Sequence, residues 1–352
     1  MYTTVLQPEP ERWDAFVSQH PRSHFLQISA WGDFKSDFGW MPQRVALADG
    51  DGKLVAGAQI LYRALPFRLG KLAYIPFGPV IDWGNSSLVR ALFKLLDRTA
   101  RQSGAVFMKL EPGYDVNVDT LKGMRCRPSP QTVQPPRTLI LDIRNEEAAL
   151  QAMNQGTRRN IRKSEKFEIE VRQGNREDVS SFTQLLQTTS QRQGFGVHVP
   201  AYYEGIYDRF IAQAAPIKAN LLMASYPTED GTRRDLSGVV VFVLGQQAWY
   251  LYGASSDEER QRMASFGVQW AAIQWARQQG AKRYDMYGVP DRDPMTLEAL
   301  FEQEHEGLWG VYRFKRGWGG QVVRTVGAWD RVYQPPLYWA YRAYLMFRGD
   351  EE

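Results

Sequence analysis

The pattern of apolar and polar positions is similar in the two halves of the chain. Helical spacing of apolar residues predicts one helix that starts at a Ser86-Ser87 cap and ends before Gly104, and a second that ends before Gly280. The two glycine-ended segments are 176 residues apart, half of the 352-residue chain. An apolar segment follows each glycine and predicts a strand. The apolar stripes are Leu88, Leu92, Leu95 and Leu96 in the first helix and Phe266, Val268, Trp270, Ile273 and Trp275 in the second.

A β-hairpin and a third strand are predicted ahead of each of these helices. The hairpin turns lie at residues 49–52 and 229–231, and the third strands at 71–75 and 248–252. A further helix is predicted before each hairpin, at 11–20 and 177–192. This order predicts an α/β (α+β) fold of two mixed sheets flanked by helices. It resembles two tandem acyltransferase domains of the GNAT (N-acetyltransferase) superfamily.

The boundary between the domains is predicted in a proline-rich linker. Pro128, Pro130, Pro135 and Pro136 fall within nine residues and favour an extended connection. We assign residues 1–136 plus 329–352 to domain 1 and residues 137–328 to domain 2. The aromatic tail predicts a helix that packs back onto domain 1, with an interfacial helix on a membrane as the alternative.

Composition excludes several classes of protein. Hydrophobic and charged fractions of 43% and 23% are ordinary for soluble domains and exclude a disordered chain. The longest wholly apolar run, from Val239 to Leu244, has six residues, whereas a membrane span needs about 20. No signal-like segment follows Met1, so we expect a cytoplasmic protein, or one held peripherally at the inner face of the plasma membrane. The net charge of +4 permits an anionic partner.

Neither a metal site nor an acyl-CoA site is predicted. The single cysteine, Cys126, lies in no Cys/His cluster, and its context favours a loop rather than a nucleophile. GNAT enzymes bind the CoA pyrophosphate on a glycine-rich loop at a helix N-terminus. The corresponding loops, 78–85 and 260–265, lack that pattern, and Met263 stands where the first glycine would be. We therefore expect no cofactor and an acyl donor other than acyl-CoA.

Seven segments in order along the chain resemble the Fem family of non-ribosomal peptidyltransferases. They are Trp31 to Trp40, Tyr74 to Val80, Thr157 to Ser164, Thr188 to Tyr203, Tyr250 to Ser255, Tyr284 to Gly288 and Phe314 to Gly320. The family has two GNAT-like domains and transfers amino acids from aminoacyl-tRNA to the stem peptide of a peptidoglycan precursor. Some members insert a coiled-coil arm in the second domain, but no heptad run occurs here, so we predict an armless form.

The resemblance implies an aminoacyltransferase of interpeptide bridge synthesis, acting as a monomer. A side-chain amine of UDP-MurNAc-pentapeptide or lipid II would attack the activated ester of aminoacyl-tRNA, and the enzyme would stabilise a tetrahedral oxyanion. Lys315, in the pair Phe314-Lys315, matches the family lysine proposed to act on that intermediate and the tRNA terminus. Asp82 matches an acidic residue near the acceptor amine. We predict Lys315, Phe314 and Asp82 as the catalytic residues.

The resemblance also implies residues that bind the precursor. Lys35 matches the family lysine that contacts the diphosphate. A second basic ligand falls on His198, with Arg192 as the nearby alternative, and histidine would make diphosphate binding weaker and pH-dependent. Strand alternation predicts that Tyr250 and Tyr252 face the same side. The remaining predicted binding residues of the cleft are Tyr74, Tyr202, Tyr250 and Tyr252.

A basic stretch provides a candidate contact for the tRNA. Arg158, Arg162 and Lys166 are four residues apart and share one helical face. We predict that they contact phosphates of the acceptor arm, with a solvated helix face as the alternative.

Two other functions are kept as rivals. One is an acyl-CoA-dependent N-acyltransferase of the GNAT superfamily, which the missing pyrophosphate loop disfavours. The other is a non-catalytic member that binds a cell-wall precursor, and His198 in place of an arginine is compatible with it.

Overall fold

The computed structural model describes residues 2–213 and 216–348. The chain begins with β1 (Thr3–Leu6), α1 (Pro10–Gln19), α2 (Ser29–Ser36), β2 (Met41–Ala48), β3 (Leu54–Ala64), β4 (Lys71–Pro76), α3 (Ser86–Gln102), β5 (Ala105–Glu111), α4 (Val118–Gly123) and β6 (Arg127–Pro128). It continues with β7 (Arg137–Asp142), α5 (Glu146–Ala152), α6 (Gln155–Lys166), β8 (Glu170–Gln173), α7 (Asp178–Gln193), α8 (Pro200–Ile206), β9 (Lys218–Pro227), β10 (Arg233–Leu244) and β11 (Gln247–Ser255). It ends with α9 (Ala264–Gln278), β12 (Arg283–Gly288), α10 (Pro294–Leu300), α11 (Leu308–Lys315), β13 (Gln321–Arg324), β14 (Trp329–Val332) and α12 (Pro335–Arg348).

The chain divides into two compact units. Unit 1 comprises Met1–Pro136 and Arg324–Glu352, and unit 2 comprises Arg137–Val323. The chain passes from unit 1 to unit 2 between Pro136 and Arg137, directly after the proline-rich segment. The chain returns to unit 1 at Arg324, whereas the sequence analysis predicted the return at residue 329.

Both units are built on a seven-stranded sheet, and in each sheet five strands that are consecutive along the chain lie side by side in the same order. The strand orders are β1-β2-β3-β4-β5-β14-β6 and, in the reverse sense, β13-β7-β12-β11-β10-β9-β8. In each sheet consecutive antiparallel strands lead to one parallel pair, β4 with β5 and β11 with β12. A helix, α3 or α9, makes the crossover between the parallel strands. The predicted mixed sheets flanked by helices are therefore confirmed.

The crossover helix of each unit packs its apolar stripe on one face of the sheet. Leu92 and Leu96 of α3 are fully buried in the core of unit 1, and Val268 and Ile273 of α9 in the core of unit 2. Gly104 and Gly280 both have positive φ, +75° and +98°, as their predicted role after a helix requires. In unit 2, α7 packs against β10 and β11 from the other face.

Several local predictions were wrong or incomplete. Asn85, not the predicted Ser86-Ser87, caps α3, because its side-chain oxygen accepts a 3.1 Å hydrogen bond from the Leu88 amide. The tail begins with the strand β14, which pairs with β5, before it becomes helical. The short edge strands β1 and β8 were also missed, because their exposed residues carry little apolar pattern.

The terminal helix α12 packs on unit 1 as predicted. Tyr338 is buried, its ring centroid lies 5.1 Å from that of Phe107, and its hydroxyl donates to Asp330. Within residues 2–213 and 216–348, no helix has both the length and the hydropathy of a membrane span.

Candidate functional site

Lys315 is the last residue of α11 and is almost fully buried in unit 2. Its ammonium nitrogen donates to the carbonyl of Gly288 at 2.6 Å and to that of Tyr287 at 3.3 Å. Both carbonyls belong to the end of β12, next to the parallel pair of strands. These two hydrogen bonds fix the Lys315 side chain at the end of β12.

The backbone at Tyr287 is strained in a way that serves this arrangement. Tyr287 has φ +60°, in the left-handed region that residues with a side chain avoid. The pairing of β12 with β7 shifts register between Asp285 and Gly288. A local bulge of this kind redirects the strand end, which is a common device beside active sites.

A carboxyl group, Asp285, lies buried on the same strand as these carbonyls. It accepts hydrogen bonds from the Thr138 hydroxyl and from the Tyr287 amide. Burial raises the pKa of Asp285 to about 6, and the charge of Lys315 opposes that rise. Burial lowers the pKa of Lys315 to about 7, and the charge of Asp285 opposes that fall. Lys315 therefore exchanges its proton near neutral pH, which is uncommon for a lysine and common for a group in a reactive site.

Tyr250 covers this lysine. Its ring centroid lies 5.9 Å from the Lys315 nitrogen, within reach of a cation–π contact. Gly253 leaves room for the ring, because a Cβ at that position would lie only 1.6 Å from the Tyr250 hydroxyl. Burial raises the pKa of the Tyr250 phenol, so its hydroxyl stays protonated and can donate a hydrogen bond.

The prediction that Tyr250 and Tyr252 face the same side is wrong. The pairing of β10 with β11 shifts between Val240, opposite Tyr252, and Val241, opposite Tyr250, so Leu251 is an extra residue. Residues directly opposite each other share a face of the sheet. Val241 belongs to the core beneath α9, and Tyr250 packs against that same core. The bulge at Leu251 therefore places Tyr252 on the opposite face.

On that opposite face, Tyr252 joins an aromatic group with residues from α8 and the loop before it. Its ring centroid lies 5.3 Å from that of Tyr203 and 6.5 Å from that of Tyr202. His198 is exposed and stacks on Tyr202, with ring centroids 3.8 Å apart, while its amide donates to the Tyr203 hydroxyl. The structure thus brings together the predicted residues His198, Tyr202 and Tyr252, and adds Tyr203.

Arg192 is engaged within its own unit. Its guanidinium pairs with Asp257 and donates to the Ser255 hydroxyl at 2.6 Å and to the Ser255 carbonyl at 3.4 Å. These contacts tie the end of α7 to the loop after β11. Because these groups already use its donors, Arg192 is the weaker of the two predicted diphosphate ligands of unit 2.

Phe314 supports the lysine through packing. Its ring lies 5.2 Å from Phe266 and 5.7 Å from Trp318, centroid to centroid, within an aromatic part of the core. It therefore positions the end of α11, and nothing in its contacts indicates a chemical role.

The predicted basic face lies on α6, but its three residues are not equivalent. Arg158 donates to the carbonyls of Leu150, Gln151 and Met153 and thereby caps the C-terminal end of α5. Arg162 and Lys166 are exposed. Only these two of the three are positioned as surface cations.

In unit 1, Lys35 lies in the last turn of α2, beside a second cation that the sequence did not single out. Burial and the charge of Arg63 lower the pKa of Lys35 to about 8. The Arg63 guanidinium lies 5.3 Å from the centroid of Trp40, whose ring in turn lies 5.9 Å from that of Tyr74. Lys35 and Arg63 repel each other, and an anion bound between them would relieve this repulsion.

The other predicted residues of unit 1 have structural partners. Tyr74 is buried, donates to the carboxylate of Glu111 and accepts from the Gln134 amide at 3.2 Å. Asp82 is exposed, and one of its oxygens accepts the Gly84 amide at 2.8 Å in the turn before α3. Tyr74 is thus placed to orient its surroundings, whereas Asp82 is open to solvent.

The loop that precedes α9 replaces the missing glycines with strained residues. Glu259 and Met263 have φ values of +48° and +57°. Arg262 pairs with Glu259, donates to the Phe167 carbonyl at 3.0 Å and stacks 4.1 Å from the Tyr226 centroid. Side-chain contacts therefore surround this loop, whereas a glycine-rich loop exposes its backbone amides to phosphates.

Two further features do not contribute to the site. Burial raises the pKa of the Cys126 thiol to about 12, which is the opposite of an activated nucleophile. A cavity of about 910 Å³ lies beside β7 and β13, and none of the predicted site residues lines it.

Sequence reasoning missed Asp285, Arg63 and Tyr203. Asp285 carried a usable signal, since it is an acid inside the apolar strand Tyr284-Asp285-Met286. The other two act through neighbours that are distant in sequence, Trp40 and Tyr252.

The fold of this chain is that of two tandem GNAT-like domains. The crystal structure of FemX superposes with a TM-score of 0.84 at 25% identity and covers 96% of this chain and 99% of its own. A tandem GNAT protein from the clavulanic acid biosynthesis pathway shares the fold alone, with a TM-score of 0.54 at 12% identity over 94% of this chain and 98% of that one.

Sequence comparison identifies the family. A model of the FemAB family matches residues 9–131, 120–229 and 218–345. The lipid II:glycine glycyltransferase of Staphylococcus saprophyticus is 28% identical over 394 residues, 92% of each chain, and that of Staphylococcus epidermidis is 26% identical over 396 residues, 93% of this chain and 92% of its own. The chain belongs to the FemAB family, and it is an aminoacyltransferase. The predicted family resemblance is confirmed.

Proposed function

We propose that this protein transfers an amino acid from aminoacyl-tRNA to the stem-peptide amine of a peptidoglycan precursor. The observation that carries the proposal is the buried Lys315, which burial brings to a pKa of about 7 beside Tyr250 and the strained end of β12. The names of the staphylococcal relatives, lipid II:glycine glycyltransferase, support a lipid-linked acceptor and glycine as the first amino acid to test.

In the proposed reaction the acceptor amine attacks the ester carbonyl of the charged tRNA. A C–N bond forms, the carbonyl oxygen becomes an oxyanion, and the tetrahedral intermediate collapses to an amide as the ribose hydroxyl leaves. The amine loses one proton and the leaving ribose oxygen gains one. The Lys315 ammonium would stabilise the oxyanion and can supply that proton, since its pKa lies near the working pH.

The acceptor is assigned to unit 1 in this proposal. Lys35 and Arg63 would hold the diphosphate, and the exposed Asp82 would accept a hydrogen bond from the attacking amine. His198, stacked on Tyr202, belongs to unit 2, and its predicted role as a diphosphate ligand stays a prediction.

Reversal of charge on α6 tests the tRNA contact. We expect Arg162→Glu with Lys166→Glu to raise the KM for aminoacyl-tRNA about tenfold at low salt. The slope of its salt dependence should become shallower by about one unit for each phosphate that is no longer neutralised. Arg158 is left unchanged because it caps α5. Transfer kinetics at several salt concentrations provide the measurement.

The matched control is Lys218→Glu with Lys282→Glu, which reverses the charge of two exposed lysines of unit 2 outside α6. We expect it to leave both the KM and the salt slope near the parent values. Equal effects of the control and the α6 double variant would assign the result to net charge rather than to a tRNA site.

A transfer assay tests the reaction class. The purified protein is mixed with lipid II or UDP-MurNAc-pentapeptide and with tRNA charged with labelled glycine, alanine or serine, with and without RNase pretreatment. We expect RNase-sensitive label on the precursor. Label from acetyl-CoA in a parallel reaction, with none from any charged tRNA, would replace the proposal by an acyl-CoA N-acyltransferase. Precursor binding without transfer from any donor would indicate a non-catalytic member.

A further inference from the structure

The terminal helix α12 is apolar on its outer face as well as on the face that packs on unit 1. Tyr338 and Tyr341 point inward against Phe107. On the outer side, Trp339, Met346 and Phe347 are 52%, 73% and 91% exposed. They lie at i, i+7 and i+8, which is the spacing of a stripe on one side of a helix. Apolar side chains grouped on the exposed side of a helix mark a contact surface.

A second exposed aromatic residue lies beside this stripe. Phe67, in the turn between β3 and β4, is 77% exposed, and its ring centroid lies 5.4 Å from that of Tyr344 on α12. Phe67 and Arg68 have φ values of +54° and +56°. Two consecutive side chains in the left-handed region cost free energy, on the order of 1 kcal/mol each. The turn is therefore strained, and it holds an aromatic residue out in solvent.

Three arginines lie beside these aromatic residues. The guanidinium groups of Arg127 and Arg342 lie 5.7 Å and 5.1 Å from the Trp339 ring centroid. Arg68 is exposed next to Phe67. No acidic residue occurs in α12 or in residues 66–68. Exposed aromatic side chains flanked by arginines are typical of a surface that inserts into the headgroup region of a bilayer.

We infer that Phe67, Trp339, Met346, Phe347 and the arginines Arg68, Arg127 and Arg342, which we call the α12 patch, dock unit 1 on an anionic lipid surface. The helix has 14 residues and is about 21 Å long, too short to cross a bilayer, so it lies in the plane of the interface. The arginines select the anionic surface, and the aromatic residues insert between headgroups. The inference builds on the lipid-linked acceptor proposed above, because docking brings unit 1 to the membrane that holds such a substrate.

Vesicle binding tests this inference without any transfer reaction. The full chain is centrifuged with vesicles of phosphatidylcholine alone or with 30 mol% phosphatidylglycerol, a fraction of roughly one third chosen to give a strongly anionic surface. We expect binding to the anionic vesicles that weakens with added salt. Phe67→Ser with Phe347→Ser should lower the partition coefficient at least about tenfold. Arg68→Glu with Arg342→Glu should remove the preference for phosphatidylglycerol.

The matched control is Met295→Ser, which removes an apolar side chain that is 84% exposed on α10. It should leave vesicle binding unchanged, and thermal melts should show that all variants fold. Equal binding by the parent and by Phe67→Ser with Phe347→Ser would overturn the inference, as would a parent that binds no vesicles. A concentration-dependent dimer that the same double variant disperses would overturn it as well, because a second copy of the chain would then cover the α12 patch.

The inference and the proposed function can fail separately. Transfer to the nucleotide-linked acceptor, which needs no membrane, should be within the parent range in the Phe67→Ser, Phe347→Ser variant. Normal vesicle binding by a protein that transfers no amino acid would refute the function and leave the docking surface in place.

Discussion

Replacement of Lys315 by methionine is expected to lower kcat about 100- to 1000-fold, the loss seen when one donor to a developing oxyanion is removed. Methionine keeps the length and apolar packing of the buried side chain but carries no charge. The KM for the acceptor should stay near that of the parent, because the interaction is made in the transition state. Single-turnover transfer from labelled aminoacyl-tRNA measures the chemical step directly.

Lys282→Met is the matched control for this prediction. Lys282 is an exposed lysine of the same unit, so its loss removes the same charge without affecting the end of β12. The control should keep kcat near the parent value. Near-normal turnover by a folded Lys315→Met protein would exclude the lysine from the chemistry.

The pH profile separates a cationic role from a basic one. With a pKa of about 7, Lys315 loses its proton just above neutral pH. The acceptor amine must also be deprotonated to attack, so the raw rate combines both groups. Lys315→Arg keeps the charge at every accessible pH, and dividing the parent profile by that of the variant removes the contribution of the acceptor. We expect the ratio to fall as pH rises above about 7, and a rising ratio would mean that Lys315 acts as a base.

The free energy of unfolding should also depend on pH because of the lowered pKa of Lys315. Because burial lowers the pKa of Lys315 to about 7, the folded chain binds fewer protons than the unfolded chain between pH 7 and the ordinary lysine pKa of about 10.4. The free energy of unfolding therefore gains a contribution as pH rises through that window. Lys315→Met should lack this gain, which thermal melts across the window would detect even when activity is absent.

The repeated topology could be predicted because it depends on local signals. A helix, a glycine with positive φ and a strand recur at Gly104 and Gly280, and each signal is encoded within a few residues. Strand β14 could not be found in this way, because a four-residue segment gains its stability from pairing with β5, more than 200 residues earlier in the chain.

The candidate site was predicted in part, and the exceptions share a cause. The bulge at Leu251 shifts the pairing of β11 by one residue, and a one-residue shift reverses the face of everything beyond it. Periodicity assumes regular pairing, so it placed Tyr250 and Tyr252 together. Arg192 stays a predicted phosphate ligand, but its contacts with Asp257 and Ser255, which the sequence could not show, already use part of its guanidinium. In both cases the local sequence pattern was read correctly, but contacts with residues distant in sequence changed the position or the partners of the side chain.

Removal of the paired cations of unit 1 is expected to weaken acceptor binding selectively. A charge-assisted hydrogen bond contributes about 1.5–3 kcal/mol, so Lys35→Ala should raise the KM for UDP-MurNAc-pentapeptide about 10- to 100-fold with little change in kcat. Arg63→Ala should act in the same direction. Because Lys35 has a pKa of about 8, the parent should also bind this acceptor less well above that pH, and Lys35→Arg should not.

The free stem pentapeptide, which has no diphosphate, is the decisive control substrate. Its KM should be the same for the parent, Lys35→Ala and Arg63→Ala, since the groups removed face an anion that this substrate lacks. Lys53→Ala, which removes an exposed lysine from the β2–β3 turn, should change neither KM. If Lys35→Ala raised both KM values equally, Lys35 would be supporting the fold of α2 rather than binding the diphosphate. If Lys35→Ala but not Arg63→Ala were selective, Arg63 would be excluded as the second cation of the diphosphate site.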